Sequence, residues 1–431
     1  MMCQFVHRNI LNKLLFIILY VLILLMGYTP FSSKILFISM MAILITMTIK
    51  AYQKKNICLL VEFLCMLPYT SVLYYSLWGT QVQLSYYTQF NTPRAFFEAA
   101  MIHFLFLIAL DFFLKIPCGP EKFKYSNNNV FLFVIGVIGS LYATVFGKTG
   151  DINVFTLGDY SPDFTRSSLF EYFFVFYLVS FVFSGNSRRY KYILYFVAVF
   201  YVFKNTLYGG RIESLMCVLF LLVIDLQTKI KFKMLFTLLV IGYILMFLLG
   251  VVRAYGFSWD VIKDSLFSNR PDIIITQESD VNYSSVRIIE MVRLNYITAS
   301  ERLQSLGLFI ESIFVSKDGL PKLVDLSLYK QSVYPCGGGG LISAFSYVFL
   351  GHIGVVCMGG IVAKILSYGV KNKNIFKNLF FILAYTTMPR WFAYYPITLF
   401  KLALLGSIIT YVLIKMCDYG KNKGFFVSSH L

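Results

Sequence analysis

Long apolar runs separated by short polar stretches dominate this chain. A transmembrane helix needs about 20 mainly apolar residues. By that measure the sequence divides into twelve segments: 11 to 27, 34 to 50, 57 to 77, 95 to 114, 130 to 147, 169 to 185, 190 to 206, 212 to 228, 232 to 250, 341 to 366, 374 to 389 and 395 to 416. The pattern predicts an all-α integral membrane protein of about 12 transmembrane helices. The first apolar run, Leu14 to Met26, passes through Gly27-Tyr28-Thr29-Pro30 directly into another apolar run. It therefore reads as a retained span and not as a cleaved signal peptide.

Polar positions between the runs test this division, because cytoplasmic loops are enriched in Lys and Arg. With the N-terminus inside, the inner segments hold 21 basic residues and the short outer loops hold seven. Every second loop is basic, which predicts that both termini are cytoplasmic. One outer (periplasmic) connection is far longer. Residues 251–340 carry nine Lys+Arg and ten Asp+Glu, and loops of such length are usually functional or disordered. Within it Ile289, Val292, Tyr296, Ala299 and Leu303 recur at helical spacing, so Ser284 to Phe314 is expected to be helical. The expected organisation is transmembrane helices 1–9 in residues 1–250, a large helical cap in 251–340, and helices 10–12 in 341–431.

Composition agrees with this picture. Of the 431 residues, 58% are hydrophobic and only 14% charged, with a mean hydropathy of +0.71; ordinary soluble domains are roughly 45–50% apolar and about 25% charged. The net charge of +17 would suggest nucleic acid on a soluble protein. Here nearly all of the excess lies in the inner loops, so it is a topology signal and no nucleic-acid partner is expected. The eight cysteines, at 3, 58, 65, 118, 217, 336, 357 and 417, form no C-x-x-C pair and no metal spacing. They read as buried or cytoplasmic thiols, and the sequence predicts neither a metal nor a cofactor.

Two constellations could carry chemistry. Tyr208-Gly209-Gly210-Arg211-Ile212-Glu213 places an arginine at a glycine turn between two spans. A guanidinium there could bind phosphate oxygens bidentately, or simply snorkel to the interface beside Glu213. Pro335-Cys336-Gly337-Gly338-Gly339-Gly340 precedes span ten, and Gly351-His352-Ile353-Gly354 follows within it. The four glycines offer backbone N–H groups that could cradle an anion at a helix N-terminus; the alternative is a hinge with small-residue helix packing.

Together, the Gly-Gly-Arg-Ile-Glu turn, the single large outer loop late in the chain and the Pro-x-Gly-Gly-Gly-Gly run leading to a Gly-x-x-Gly helix resemble the O-antigen and capsular repeat-unit polymerases, the Wzy family. The resemblance implies a GT-C-like polymerase or ligase architecture in the bacterial inner membrane. It implies a reaction in which a growing glycan on undecaprenyl pyrophosphate passes to the next lipid-linked repeat unit, with membrane lipid, a chain-length regulator and a flippase as partners. Members often carry a Glu shortly after the glycine run, whereas Leu341 to Phe349 contains no acid.

A lipid pyrophosphate leaving group calls for cations at the outer interface. Arg211, Arg253, Arg390 and Arg166 are the expected ones, with Arg287, Arg293 and Arg302 in the cap, alongside Gly337, Gly338, Gly339 and Gly340. A base must also activate the acceptor hydroxyl. The candidates are His352 and the cap acids Glu278, Asp280, Glu290 and Glu301. Rival readings are a flippase or transporter of the same lipid-linked oligosaccharide, and an O-antigen ligase. The absence of a repeat between the two halves of the chain counts against a transporter.

Overall fold

The computed structural model describes residues 2–77, 93–119, 127–149, 165–166, 169–185, 187–208, 210–255, 258–260, 263, 277–315, 326–334, 336–337, 339–369 and 374–422. In chain order the helices are α1 (Met2–Met26), α2 (Pro30–Gln53), α3 (Ile57–Leu77), α4 (Pro93–Phe113), α5 (Val130–Phe146), α6 (Leu169–Phe183), α7 (Arg188–Leu207), α8 (Arg211–Ile224), α9 (Phe232–Tyr255), α10 (Gln277–Arg293), α11 (Ala299–Ser312), α12 (Leu326–Val333), α13 (Ile342–Leu366), α14 (Ile375–Thr386), α15 (Met388–Ala393) and α16 (Gly406–Asn422). A π-helical stretch, Leu399–Leu405, leads into α16. The only strands among the described residues are a two-residue antiparallel pair, β1 (Lys148–Thr149) with β2 (Thr165–Arg166).

A helix lies on each of the twelve apolar segments. Among the described residues four stretches, Pro30–Gln53, Arg94–Phe113, Ile342–Leu366 and Leu399–Tyr419, are long and apolar enough to cross a membrane. Shorter apolar helices include Leu11–Met26, Val130–Phe146 and Leu169–Phe183.

Local sequence sets several boundaries. Gly27, at φ 60°, takes the left-handed conformation after α1. Thr29 then caps α2: its hydroxyl accepts from the Ser32 N–H at 3.0 Å, the Ser32 hydroxyl accepts from the Thr29 N–H at 2.9 Å, and Pro30 occupies the first helical position. Thr298 and Glu301 form the same reciprocal cap on α11. Asn129 and Asn374 cap α5 and α14.

The chain forms two compact units. Met1–Pro120, Asn269–Ser367 and Met388–Thr398 make the first. Here α4 packs against α1, α2, α3, α10 and α13, and Phe104, Phe106, Leu107 and Leu110 lie in the core. The α4–α13 contact is close because Gly359 has no side chain: a Cβ there would sit 2.7 Å from the Ala109 Cβ and 3.0 Å from the Phe106 carbonyl oxygen. Lys50 of α2 donates to the buried Asp111 of α4 at 2.8 Å.

The expected helix from Ser284 to Phe314 is two helices. The chain turns over 294–298, with Asn295 at φ 56°, so the stripe predicted from one helical period fails beyond the turn. Ile289 is buried, while Tyr296, Ala299 and Leu303 are exposed. α10 packs against α3, α4 and α13, with Val281, Tyr283, Val286, Ile288 and Met291 all buried.

Glu121–Ser268, Tyr368–Thr387 and Leu399–Leu431 make the second unit. Its α5–α6 contact also turns on a glycine, since a Cβ on Gly136 would meet the Ser180 hydroxyl and come within 2.8 Å of the Phe176 carbonyl oxygen. Phe173 stacks on Tyr201 at 3.7 Å between centroids and on Tyr177 at 5.2 Å. Both hydroxyls are satisfied, Tyr201 by the Phe170 carbonyl and Tyr177 by that of Leu194, as buried tyrosines require.

Candidate functional site

In the first unit, side chains of α10 and α12 hold the glycine run in place. Ser284 donates to the Gly337 carbonyl at 3.1 Å, and the Ser285 hydroxyl accepts from the Leu341 N–H at 2.7 Å. Lys330, fully buried, donates to the Gly339 carbonyl at 2.6 Å, and Gln331 donates to that of Cys336 at 3.3 Å. The Gly340 N–H donates to the Ala393 carbonyl at 3.2 Å. The N–H groups of Gly340 and Leu341 are thus already committed, so this part of the run is a fastened segment and not the open anion cradle its composition suggested. Gly338 lies outside the described residues. Glycine at 337 leaves room for a carboxylate, since a Cβ there would collide with Asp280.

Beside the run, α10 presents a charged and aromatic cluster. Arg287 donates to Glu290 at 2.5 Å and, through Nε and Nη2, to the Tyr283 hydroxyl at 3.2 and 3.0 Å. Its guanidinium also lies 5.1 Å from the Tyr283 ring centroid and 4.7 Å from that of Tyr334. Arg293 reaches Glu290 at 3.3 Å and Glu98 of α4 at 3.8 Å, and Glu98 is shared with Arg94 at 3.4 Å. The helical spacings i, i+3 and i, i+4 bring Tyr283, Arg287, Glu290 and Arg293 together.

Burial works against the charge on Arg287, but the Tyr283 hydroxyl and Glu290 outweigh it and hold the guanidinium above its ordinary value. Burial pushes the Tyr334 phenol up to about 12, and the Glu290 charge adds to the effect. The Tyr334 hydroxyl is buried and makes no hydrogen bond among the described residues.

A third feature lies on α13. Arg302 of α11 donates to the carbonyls of Val348 and Tyr347 at 2.6 and 2.8 Å, beside a break in α13 at Leu350 and Gly351. His352 is exposed and packs edge-on against the Tyr347 ring at 5.3 Å.

The expected residues therefore divide. Asp280, Arg287, Glu290, Arg293, Gly337, Gly339 and Gly340 gather around α10 and the glycine run. Glu278, also on α10, offers its backbone carbonyl to Asn282 at 2.9 Å. Glu301 caps α11, and Arg302 and His352 flank the break in α13. Arg390 is buried on α15, 5.3 Å from the ring of Tyr394; that ring in turn abuts Gly339. Arg211, Arg166 and Arg253 belong to the second unit. There Arg211 opens α8 beside the buried Glu213, the Arg166 backbone pairs with Lys148, and Arg253 lies within α9.

Sequence reasoning missed several partners. Tyr283 and Glu98 carry helical spacings to Arg287 and Arg94 that a search for charged and aromatic pairs would have found. Lys330 and Tyr334 carry no such signal. Nor does His103, buried where α3, α4 and α13 meet: its Nε2 lies 3.2 Å from the Thr70 hydroxyl and its Nδ1 3.2 Å from that of Ser343.

Among the described residues no group of three His, Cys, Asp or Glu side chains is placed to hold a metal ion. No protein-family model matches this chain, and comparison with curated proteins and with solved structures gives no match.

Proposed function

We propose that this protein polymerises undecaprenyl-pyrophosphate-linked oligosaccharide repeat units into O-antigen or capsular polysaccharide at the outer face of the bacterial inner membrane. The growing glycan passes to the next lipid-linked unit and undecaprenyl pyrophosphate departs. The observation that carries this reading is the cluster on α10, in which Arg287 lies against Tyr283 and Tyr334 beside the fastened glycine run. Cations there suit a diphosphate leaving group, and tyrosine faces suit sugar rings. Asp280 and Glu290, at the same place, are the carboxylates available to take the acceptor proton. Arg211, at its own glycine turn, is a second phosphate-binding candidate. A chain-length regulator and a flippase are the partners this reading brings.

The break within α13 favours a second reading, because interrupted membrane helices are characteristic of transporters. The length distribution of surface polysaccharide separates the two. Deleting the gene should leave polysaccharide of a single repeat unit, and Arg287→Ala or Arg211→Ala should shorten the ladder while the protein still inserts. A flippase defect instead removes surface repeat units altogether, and a ligase defect strands long polymer on its carrier. A normal ladder in the deletion strain would refute the polymerase reading.

A further inference from the structure

A helix lying across the mouth of a bundle buries one stripe and keeps the opposite face in water. α10 keeps no such face. Residues 279, 281–286 and 288–291 are all buried, and Asp280 and Arg287 between them are half-buried. Full exposure begins only at Arg293. A helix that carries Glu278, Asp280, Arg287, Glu290 and Arg293 is thus enclosed along most of its length.

α4, one of the stretches long and apolar enough to cross a membrane, shows how deep this enclosure goes. Its midpoint is His103. The His103 ring lies 3.2 Å from the hydroxyls of Thr70 and Ser343 and 6.0 Å from the ring of Phe392. One residue from Thr70, the Tyr69 carbonyl accepts from Asn282 of α10 at 2.7 Å. The other end of α10 lies towards the Pro93 end of α4, where Arg293 reaches Glu98 at 3.8 Å. α10 therefore runs beside the first half of α4, with its N-terminal end the deeper.

The glycine run meets the same layer. The Leu341 N–H, two residues from Ser343, donates to Ser285, and the Gly340 N–H donates to the Ala393 carbonyl, next to Phe392. Non-helical backbone is tolerated at membrane depth only where protein satisfies its polar groups or a water-filled cavity does. Here protein does so: Ser284 serves the Gly337 carbonyl, and Lys330, wholly buried, serves that of Gly339. On a cap above the spans water would serve these groups, without the cost of burying a lysine.

We propose that α10 and the glycine run form a re-entrant unit, which enters the bilayer from the outer face, reaches the midpoint of α4 and returns without crossing. Part of the segment 251–340 is then membrane-embedded, and Arg287, between the two levels of α10, meets any ligand among the helices. The insertion stands apart from the polymerase reading and alters only the depth at which a lipid diphosphate would be bound.

Distances between paired spin labels in the full-length protein in lipid nanodiscs test this. One label replaces Lys54, exposed in the connection before α3 and tied through its carbonyl to Gly119 beyond the far end of α4. The second replaces Glu278 in one variant and the exposed Leu294 in another. Labels carried on a ketone-bearing amino acid leave the eight native cysteines in place. With a rise of about 1.5 Å per residue along α10, re-entry predicts that position 278 is nearer to 54 than 294 is, by about 10 Å or more. Equal distances, or a nearer 294, would lay α10 across the mouth and overturn the proposal. Hydrogen exchange of the unmodified protein carries the test if the Glu278 variant does not fold. The amides of 281–291 should be protected to within roughly tenfold of those in the middle of α4; exchange at the rate of an exposed helix would overturn it as well.

Discussion

At the scale of single residues, the arginines of the first unit do different work although they look alike in the sequence. Arg287 is fixed by a carboxylate, a phenol and two aromatic rings; Arg302 satisfies backbone carbonyls; Arg390 is buried beside Tyr394. Tyr334 gives this environment a titration signature. Its phenol is raised from 10.0 to about 12, first by burial and then by the Glu290 charge. An acid raised in the folded state keeps its proton while the unfolded chain has already lost its own. Stability should therefore be independent of this group below about pH 10, fall between about 10 and about 12, and level off above. Thermal melts across that range should show a flatter alkaline limb in Tyr334→Phe; an unchanged limb would remove Tyr334 as its source.

At the scale of elements, the apolar periodicity located the helices well because long apolar runs leave little other choice for a backbone that must satisfy its own hydrogen bonds. It failed where single residues override the period. Asn295 and the Thr298–Glu301 cap divide the expected Ser284–Phe314 helix in two, and Gly351 breaks an apolar run that reads as one span. The candidate site was legible only in part. Arg287, Glu290, Arg293 and the glycines stood out by residue type, but Lys330, Tyr334 and His103 are joined to their partners by tertiary contact alone. Close helix packing is the role of Gly359, which meets α4 backbone and side chain. Gly359→Leu should therefore force α4 and α13 apart and cost roughly 1–3 kcal/mol or more, measured as a lower melting temperature in detergent. A variant that melts like the parent would mean that the contact is looser than the geometry indicates.

At the scale of the whole molecule, the charge of +17 and the apolar runs give one consistent picture: basic residues cluster in alternate segments between the apolar runs, and among the described residues four helical stretches are long and apolar enough to cross a membrane. On the proposed function, the segments assigned to the outer face have nearly balanced charge, so recognition of an anionic lipid carrier would rest on individually placed arginines and not on a basic surface. Neither metal nor cofactor enters the proposed reaction. Its central claim is that this one chain joins lipid-linked repeat units to each other. The purified protein in liposomes, supplied only with undecaprenyl-pyrophosphate-linked repeat unit, should yield lipid-linked glycans at integer multiples of the unit with release of free undecaprenyl pyrophosphate. Substrate that stays at one repeat unit under conditions where the protein is folded and inserted would contradict it.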